Sequence, residues 1–219
     1  MTPPRRDAEA RRAEILDAAL HMFGQYGFRR TSMDDIAHET GIAKATIYLS
    51  FASKEEVFQA LAQRLAQRML AGAEAASRRP GTTADKLTAM ITAWFVTYAD
   101  TISRSPHADE LLDAKHRLSA DLVSDAASRY KQLVRDVLTA AAAAGELDLE
   151  SADLTPDTAA ELLLASARGL GFSEPLPAAY RSYLKALVRV MVAGLSSRLR
   201  EPALPASQVK MIWPPVAKP

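Results

Sequence analysis

Residues 31–51 read TSMDDIAHETGIAKATIYLSF, and this stretch indicates two short helices joined by a sharp turn. Ser32 and Asp35 have the serine-then-acid spacing of a capping box, which marks the start of the first helix. Gly41 ends that helix, because the turn needs a backbone conformation that other residues adopt only with strain. The second helix is expected over residues 44–50.

The two short helices are expected to share a small core. Ile36, Ile42 and Ile47 are spaced to meet beneath the pair, and Ala37 is small enough to let the helices approach closely. The other side of the second helix would then present short polar and basic side chains. Such a helix fits the major groove of DNA, where these side chains reach base edges and phosphates. The pattern therefore predicts a helix-turn-helix.

The rest of the chain is also predicted to be helical. Apolar residues recur every three or four positions along most of the 219 residues, and alternation of period two is nowhere sustained. Alanine, the best helix former, is abundant. We predict an all-α protein of about nine helices, with an N-terminal three-helix unit over 8–54, a larger helical bundle over 55–200 that begins with a long fourth helix, and a proline-rich tail over 201–219.

Capping residues mark where the other helices begin and end. The first helix is expected over 8–26 and the last over 176–199. Hydroxyl residues in capping positions predict four further helix starts, at Ser53, Thr82, Ser105-Pro106 and Thr155-Pro156. Another helix is expected from about Ser119 to Ala144, with Gly145 at its end.

Composition excludes several classes of protein. Hydrophobic residues make up 48% of the chain and charged residues 24%, as in an ordinary globular protein rather than a disordered one. There is no apolar run long enough to span a bilayer, no apolar segment near the N-terminus, and no cysteine. We therefore expect a cytoplasmic protein without a membrane partner. The net charge of +1 carries little information, although four arginines fall within the first twelve residues.

A series of short motifs runs in fixed order over about fifty residues around the turn. Together they closely resemble the TetR family of bacterial regulators. Two positions depart from the commonest pattern, since Ala45 replaces a frequent glycine and Ser50 a frequent histidine or aromatic residue. The matching motifs are Ile15-Leu-Asp-Ala-Ala-Leu with Phe23, Tyr26-Gly27-Phe28, Thr31-Ser32, Asp35-Ile36-Ala37, Gly41-Ile42, Thr46-Ile47-Tyr48, Phe51, and Ser53-Lys54-Glu55.

The resemblance implies DNA-binding roles for eight residues. Those expected to hydrogen-bond phosphate are Thr31, Ser32 and Lys54, those expected to face the groove are Lys44, Ala45, Thr46 and Ser50, and Tyr48 is expected to contact the DNA backbone. From the residues alone, other roles remain open. Thr31 and Ser32 could be simple helix caps, Lys54 could be a solvated lysine, and Tyr48 could lie partly in the core.

The last two helices are more apolar than peripheral helices need to be. The resemblance implies that they form a four-helix interface in a homodimer, although both could instead be buried within one chain. The residues assigned to this interface are Leu163, Leu170, Tyr183, Leu184, Leu187, Val188, Met191 and Leu195.

The middle of the chain contains an aromatic-rich stripe. Members of the family bind small molecules in an apolar cavity among such helices, so the resemblance implies an effector, which the stripe suggests is apolar or aromatic. Plain core packing is the alternative for these side chains. The candidate ligand-binding residues are Met90, Trp94, Phe95, Tyr98, His107, His116 and Tyr130.

The sequence thus predicts a repressor that binds a palindromic operator in double-stranded DNA as a homodimer and is released by a small molecule. A regulator without effector control, an activator, and a helical interaction module that has lost DNA binding are the alternatives. The four histidines are scattered, without metal-ligand spacing, and neither a nucleophile motif nor a glycine-rich phosphate loop stands out. We therefore expect no enzyme, and no catalytic residue, metal site or cofactor.

Overall fold

The computed structural model describes residues 5–102, 105–170 and 179–196. Within these ranges the chain forms nine α-helices and one short 3₁₀ turn, with no strand, which confirms the predicted all-α fold. The tail over 201–219 and both ends of the predicted last helix lie outside the described residues. The helices are α1 (Arg5–Tyr26), α2 (Met33–Thr40), α3 (Lys44–Ser50), α4 (Lys54–Ser77), α5 (Thr83–Ile102), α6 (Ala108–Leu118), α7 (Ala120–Ala143), α8 (Pro156–Leu170) and α9 (Tyr180–Gly194).

The capping box predicted before α2 is present. The Ser32 hydroxyl accepts a hydrogen bond from the Asp35 backbone nitrogen at 3.2 Å, and the Asp35 carboxylate accepts one from the Ser32 nitrogen at 2.8 Å. These bonds from Ser32 lower the pKa of Asp35, because they stabilise its charged form. Gly41 follows α2 with a φ of +67°, the left-handed conformation that the tight turn requires.

One predicted helix start is wrong. We expected Ser105-Pro106 to open a helix, but α6 begins at Ala108. The Ser105 hydroxyl accepts from the His107 nitrogen at 3.0 Å within a turn that precedes the helix. The same hydroxyl donates to the Gly24 carbonyl at 2.8 Å, so it links this turn to the end of α1 instead of capping α6.

Two hydrophobic cores organise the helices. The first lies among α1, α2, α3 and the first half of α4, and three phenylalanines meet there with ring centroids 5.1–5.9 Å apart. Leu61 of α4 and Leu111 of α6 also belong to it. This first core therefore extends past the boundary that we predicted at residue 54, and it includes a helix from the larger unit.

The second core fills the larger bundle. It contains buried residues of α4, α5, α7, α8 and α9, among them Trp94 and Tyr130, whose rings stack with centroids 4.3 Å apart and planes 6° apart. Because α4 contributes to both cores, it connects them mechanically. Within the ranges that the structure describes, no helix combines the length and apolarity that crossing a membrane would need.

Candidate nucleic-acid interface and cavity

Helix α3 is held to the first core by few side chains and leaves most of its surface open. Ile47 is wholly buried, and Phe51, just after the helix, is 1% exposed. Lys44, Ala45 and Tyr48 are exposed, as predicted, and Thr46 and Ser50 are half-buried. This helix is thus anchored on one side and can present the other to a partner.

Leu49 is a surface residue that our sequence reasoning missed. Its side chain is 88% exposed, more than any other large apolar side chain in the described part of the chain. A signal was available, because Leu49 lies two residues from Ile47 and hence about 200° around the helix from the buried side. An apolar side chain in this position can contact a thymine methyl group in a major groove.

Lys44 forms an exposed ion pair with Asp34 of α2. The Lys44 ammonium lies 2.6 Å from one Asp34 carboxylate oxygen. The hydrogen bond that the Lys44 ammonium donates to Asp34 raises the pKa of Lys44, so this side chain keeps its positive charge. Since both partners are exposed to solvent, a phosphate can compete with Asp34 for the lysine.

Arg12 positions α3 from the neighbouring helix α1. Its guanidinium donates to the Ser50 carbonyl at 2.6 Å and lies 3.9 Å from the centroid of the Phe51 ring. It therefore caps the C-terminal end of α3 and covers the residue that follows. Our sequence analysis counted Arg12 only as part of a basic N-terminus, because nothing local in the sequence links it to residue 50.

The structure contradicts the predicted phosphate contact of Thr31. This side chain is 2% exposed, and its hydroxyl donates to the Gly27 carbonyl at 2.8 Å. It serves as an internal link between the end of α1 and the start of α2. Ser32 is exposed, but its hydroxyl already donates to Asp35 at 2.7 Å, so its phosphate contact stays a prediction.

The structure gives Lys54 partners within the protein, and its phosphate contact stays a prediction. Its ammonium donates to three backbone carbonyls, those of Phe28 at 2.8 Å, Arg29 at 3.3 Å and Thr31 at 2.8 Å. It also lies 4.6 Å from the centroid of the Phe28 ring. A lysine ammonium has three donors, and all of them are used here. Lys54 therefore holds the loop before α2 in place.

Replacing Lys54 with methionine should destabilise the fold without removing a phosphate contact. We expect the free energy of unfolding to fall by about 1–3 kcal/mol, because part-buried carbonyls lose their donor. The slope of log affinity for DNA against log salt concentration should stay the same. Chemical denaturation and DNA titrations at several salt concentrations measure the two quantities.

Lys44→Met is the matched control for this experiment. Lys44 is exposed, so its loss should leave the unfolding midpoint nearly unchanged. If Lys44 pairs with phosphate in the complex, the salt slope should decrease by about one for each DNA-binding unit. A decrease in slope for Lys54→Met, without loss of stability, would contradict the role that we assign to Lys54.

A cavity of about 560 Å³ lies between the two cores, enclosed by side chains from α1 and from α4 to α9. Four of the seven candidate ligand residues line it, namely Trp94, Phe95, Tyr98 and Tyr130. Burial raises the pKa of both Tyr130 and Tyr180, the latter to about 12, so these two hydroxyls remain protonated donors at neutral pH. The Tyr180 hydroxyl donates to the Ala167 carbonyl at 3.0 Å.

The other three candidates do not line the cavity. Met90 is wholly buried in the second core, one helical turn before Trp94 on α5, and does not line the cavity. His107 lies at the start of α6, where its ring nitrogen is 3.2 Å from the Gln25 carbonyl. His116 is exposed on α6. Periodicity placed these residues on helices near the cavity but did not show which way their side chains point.

The surface of α8 and α9 divides the predicted dimer residues into two groups. Leu163, Leu184 and Val188 are at most 2% exposed and belong to the second core, so the structure contradicts their assignment to an interface. Tyr183 is 51% exposed, whereas Leu170, Leu187, Met191 and Leu195 are half-buried. Two further residues of these helices are exposed but were not among those assigned to the interface, Leu162 at 49% and Val190 at 71%.

A helix-turn-helix head joined to a helical bundle with an internal cavity defines a class, the helix-turn-helix regulatory proteins with an all-helical C-terminal domain. The family model described as bacterial regulatory proteins of the tetR family matches residues 15–61. The helix-turn-helix head of this chain, with the first part of α4, is therefore similar to the TetR family.

Curated relatives match over less than half of the chain. The chain is 32% identical over 87 residues to the HTH-type transcriptional activator FasR of Mycolicibacterium smegmatis, a match that covers 40% of each chain. It is 44% identical over 52 residues to the HTH-type transcriptional repressor KstR2 of Mycobacterium tuberculosis, which covers 24% of this chain and 26% of that one. Each match thus spans less than half of the relative's own length.

A solved structure extends the likeness to nearly the whole fold. The TetR/AcrR-family regulator from Thermobifida fusca is 25% identical, with a TM-score of 0.64, and the match covers 84% of this chain and 98% of that one. Both the helix-turn-helix head and the helical bundle are therefore shared with this regulator.

Proposed function

We propose that this chain is a transcriptional repressor that binds a palindromic operator as a homodimer and is released by a small-molecule effector. The observation that carries the proposal is the open face of α3, where Lys44, Tyr48 and Leu49 are exposed on an otherwise well-packed head. These side chains offer a charge for phosphate, a ring with a polar tip, and an apolar group for base edges.

Dimerisation would give the protein its specificity for a DNA sequence. A single short helix makes few base contacts, and phosphate contacts alone do not distinguish sequences. The exposed apolar residues Leu162, Tyr183 and Val190 lie on α8 and α9, at a distance along the chain from the head. Three of the exposed residues of α8 after Leu162 are small (Ala165, Ser166 and Gly169), which would let a second pair of helices approach closely, and Arg168 is exposed beside them.

Two helices could transmit ligand binding to the head. Phe58 and Leu61 of α4 line the cavity and also belong to the first core, as does Leu111 of α6. The carboxylate of Glu110 on α6 accepts a hydrogen bond from the Arg29 backbone nitrogen, just after α1. A ligand that shifts α4 or α6 would therefore move the head, provided that it binds the released state more tightly than the DNA-bound state.

Selection of bound duplexes from a random pool tests this function. We expect an inverted repeat whose half-site centres are about 34 Å apart, or a multiple of this distance, along the DNA axis. Recovery of random sequence, or of a single half-site without its repeat, would contradict the proposal.

A second candidate function is activation, because the relative FasR is named an activator whereas KstR2 is named a repressor. A reporter gene placed behind the selected site separates the two signs of regulation. Repression predicts that deleting the regulator raises expression, and activation predicts that it lowers expression.

A further inference from the structure

Lys115 of α6 brings a positive charge into the cavity without a carboxylate partner. Its side chain lines the cavity, and its ammonium is 3.4 Å from the Tyr98 hydroxyl oxygen and 4.9 Å from the centroid of that ring. Among the described residues, no carboxylate oxygen lies within 4.0 Å of this ammonium. Burial lowers the pKa of Lys115, because removal from water disfavours the charged form. An anion beside it would offset that cost.

Tyr130 of α7 adds a buried hydroxyl without a hydrogen-bond partner among the described residues. This residue lines the same cavity as Lys115. A buried hydroxyl without a partner is costly and rare in folded proteins, which suggests that something absent from the protein itself completes it. The ring of Tyr130 stacks against Trp94, so the two rings form a flat apolar part of the cavity lining.

The charged side chains around the cavity are mostly positive. Five basic residues and one acid line it, namely Arg64, Arg68, Lys115, Lys131, Arg168 and Glu161. Arg64 is paired with Asp17 at 2.6 Å, and Lys131 with Asp157 at 3.1 Å and Glu161 at 3.5 Å. The remaining three basic side chains have no such pair among the described residues. The cavity is therefore electrostatically suited to a negative ligand and unsuited to a positive one.

We propose that the effector is an amphipathic carboxylate, whose acid group pairs with Lys115 and whose apolar body lies along Trp94, Phe95 and Tyr130. The Tyr130 hydroxyl donates a hydrogen bond to a polar atom of the ligand. This inference rests on the proposed function, because it specifies the chemical class of the effector. The effector would then contact α6 directly, and Glu110 of this helix accepts a hydrogen bond from the Arg29 backbone nitrogen in the head.

Matched probe pairs test the inference on the full-length protein. Each carboxylate is titrated beside its neutral amide by isothermal titration calorimetry, with 4-phenylbutyrate and 4-phenylbutanamide as the aromatic pair and octanoate and octanamide as the aliphatic pair. We expect at least one carboxylate to bind the wild type at least about tenfold more tightly than its amide, as a charge-assisted contact allows.

Two substitutions at Lys115 test whether this side chain causes the preference for the carboxylate. Lys115→Met should abolish the preference for the carboxylate, and Lys115→Arg should retain it. Lys131→Met is the matched control, because Lys131 lines the same cavity but is already paired with two acids, so the preference should persist. Tyr130→Phe should weaken binding of acid and amide alike by several-fold.

Several results would overturn the inference. These are equal binding of acid and amide by the wild type, a preference that survives Lys115→Met, or no binding of either carboxylate at millimolar concentration. The wild-type comparison needs no variant, so a misfolded mutant does not obscure the answer. Titration of the selected operator DNA in the presence of each probe tests the proposed function separately. A carboxylate that binds through Lys115 without weakening DNA binding would support the ligand class and contradict effector release.

Discussion

Val190→Arg is expected to convert the proposed homodimer into a monomer and to lower the affinity for operator DNA by at least about a hundredfold. Val190 is 71% exposed on α9, on the same side of the helix as Tyr183 and Leu187. In a two-fold interface each substitution occurs twice, so two arginines would face an apolar partner surface without counter-charges. Specific affinity falls because one head then binds a half-site alone.

Sedimentation equilibrium and DNA titration at one fixed salt concentration measure the two effects of Val190→Arg. Tyr26→Arg is the matched control, since Tyr26 is 54% exposed but lies at the end of α1. The control protein should remain a dimer. If Val190→Arg stays dimeric at micromolar concentration, the α8–α9 surface is not the dimer interface. Binding to an inverted repeat would then require a dimer formed through another surface.

Local hydrogen bonds explain why the head could be predicted so closely. The cap at Ser32 and the turn at Gly41 use bonds and backbone angles within a few residues, and their sequence signals are specific. The predicted bounds of α3, residues 44–50, are those of the structure. The helix start predicted at Ser105 was wrong because a local signal of this kind is ambiguous. The Ser105 hydroxyl could accept a hydrogen bond either as a helix cap or within a turn before the helix.

Long-range contacts explain what the sequence did not reveal about the head. Lys54 donates to carbonyls 23 to 26 residues earlier in the chain, and Arg12 donates to a carbonyl 38 residues later. Such contacts depend on how the helices pack, which periodicity does not determine. A family motif can therefore mark Lys54 as important while leaving its physical role open.

The bundle shows the same limit in its apolar helices. Leu162 and Leu163 are adjacent and chemically identical, yet one is 49% exposed and the other 2%. Since α8 is apolar on more than one side, only tertiary packing decides which leucine is buried. Lys115 was missed because a lysine near the end of a helix is normally solvated, and nothing local indicates that it faces a cavity.

Replacing both Thr46 and Tyr48 with alanine should remove sequence-specific DNA binding while leaving the fold intact. Thr46 is half-buried and Tyr48 is 45% exposed, and alanine favours the helix at both positions. Each lost base or backbone contact costs about 1 kcal/mol or more, and a dimer loses four of them. Operator affinity should therefore fall by about three orders of magnitude.

Binding to random duplex separates this effect from general damage to the protein. Neither Thr46 nor Tyr48 is charged, so non-specific affinity and its salt dependence should change little, because both come from phosphate contacts. The ratio of specific to non-specific affinity should collapse, whereas Tyr26→Ala, which removes an exposed tyrosine outside α3, should preserve it. An unchanged ratio in the double variant would mean that α3 does not read DNA, and the helical head would then be better explained as a protein-interaction module.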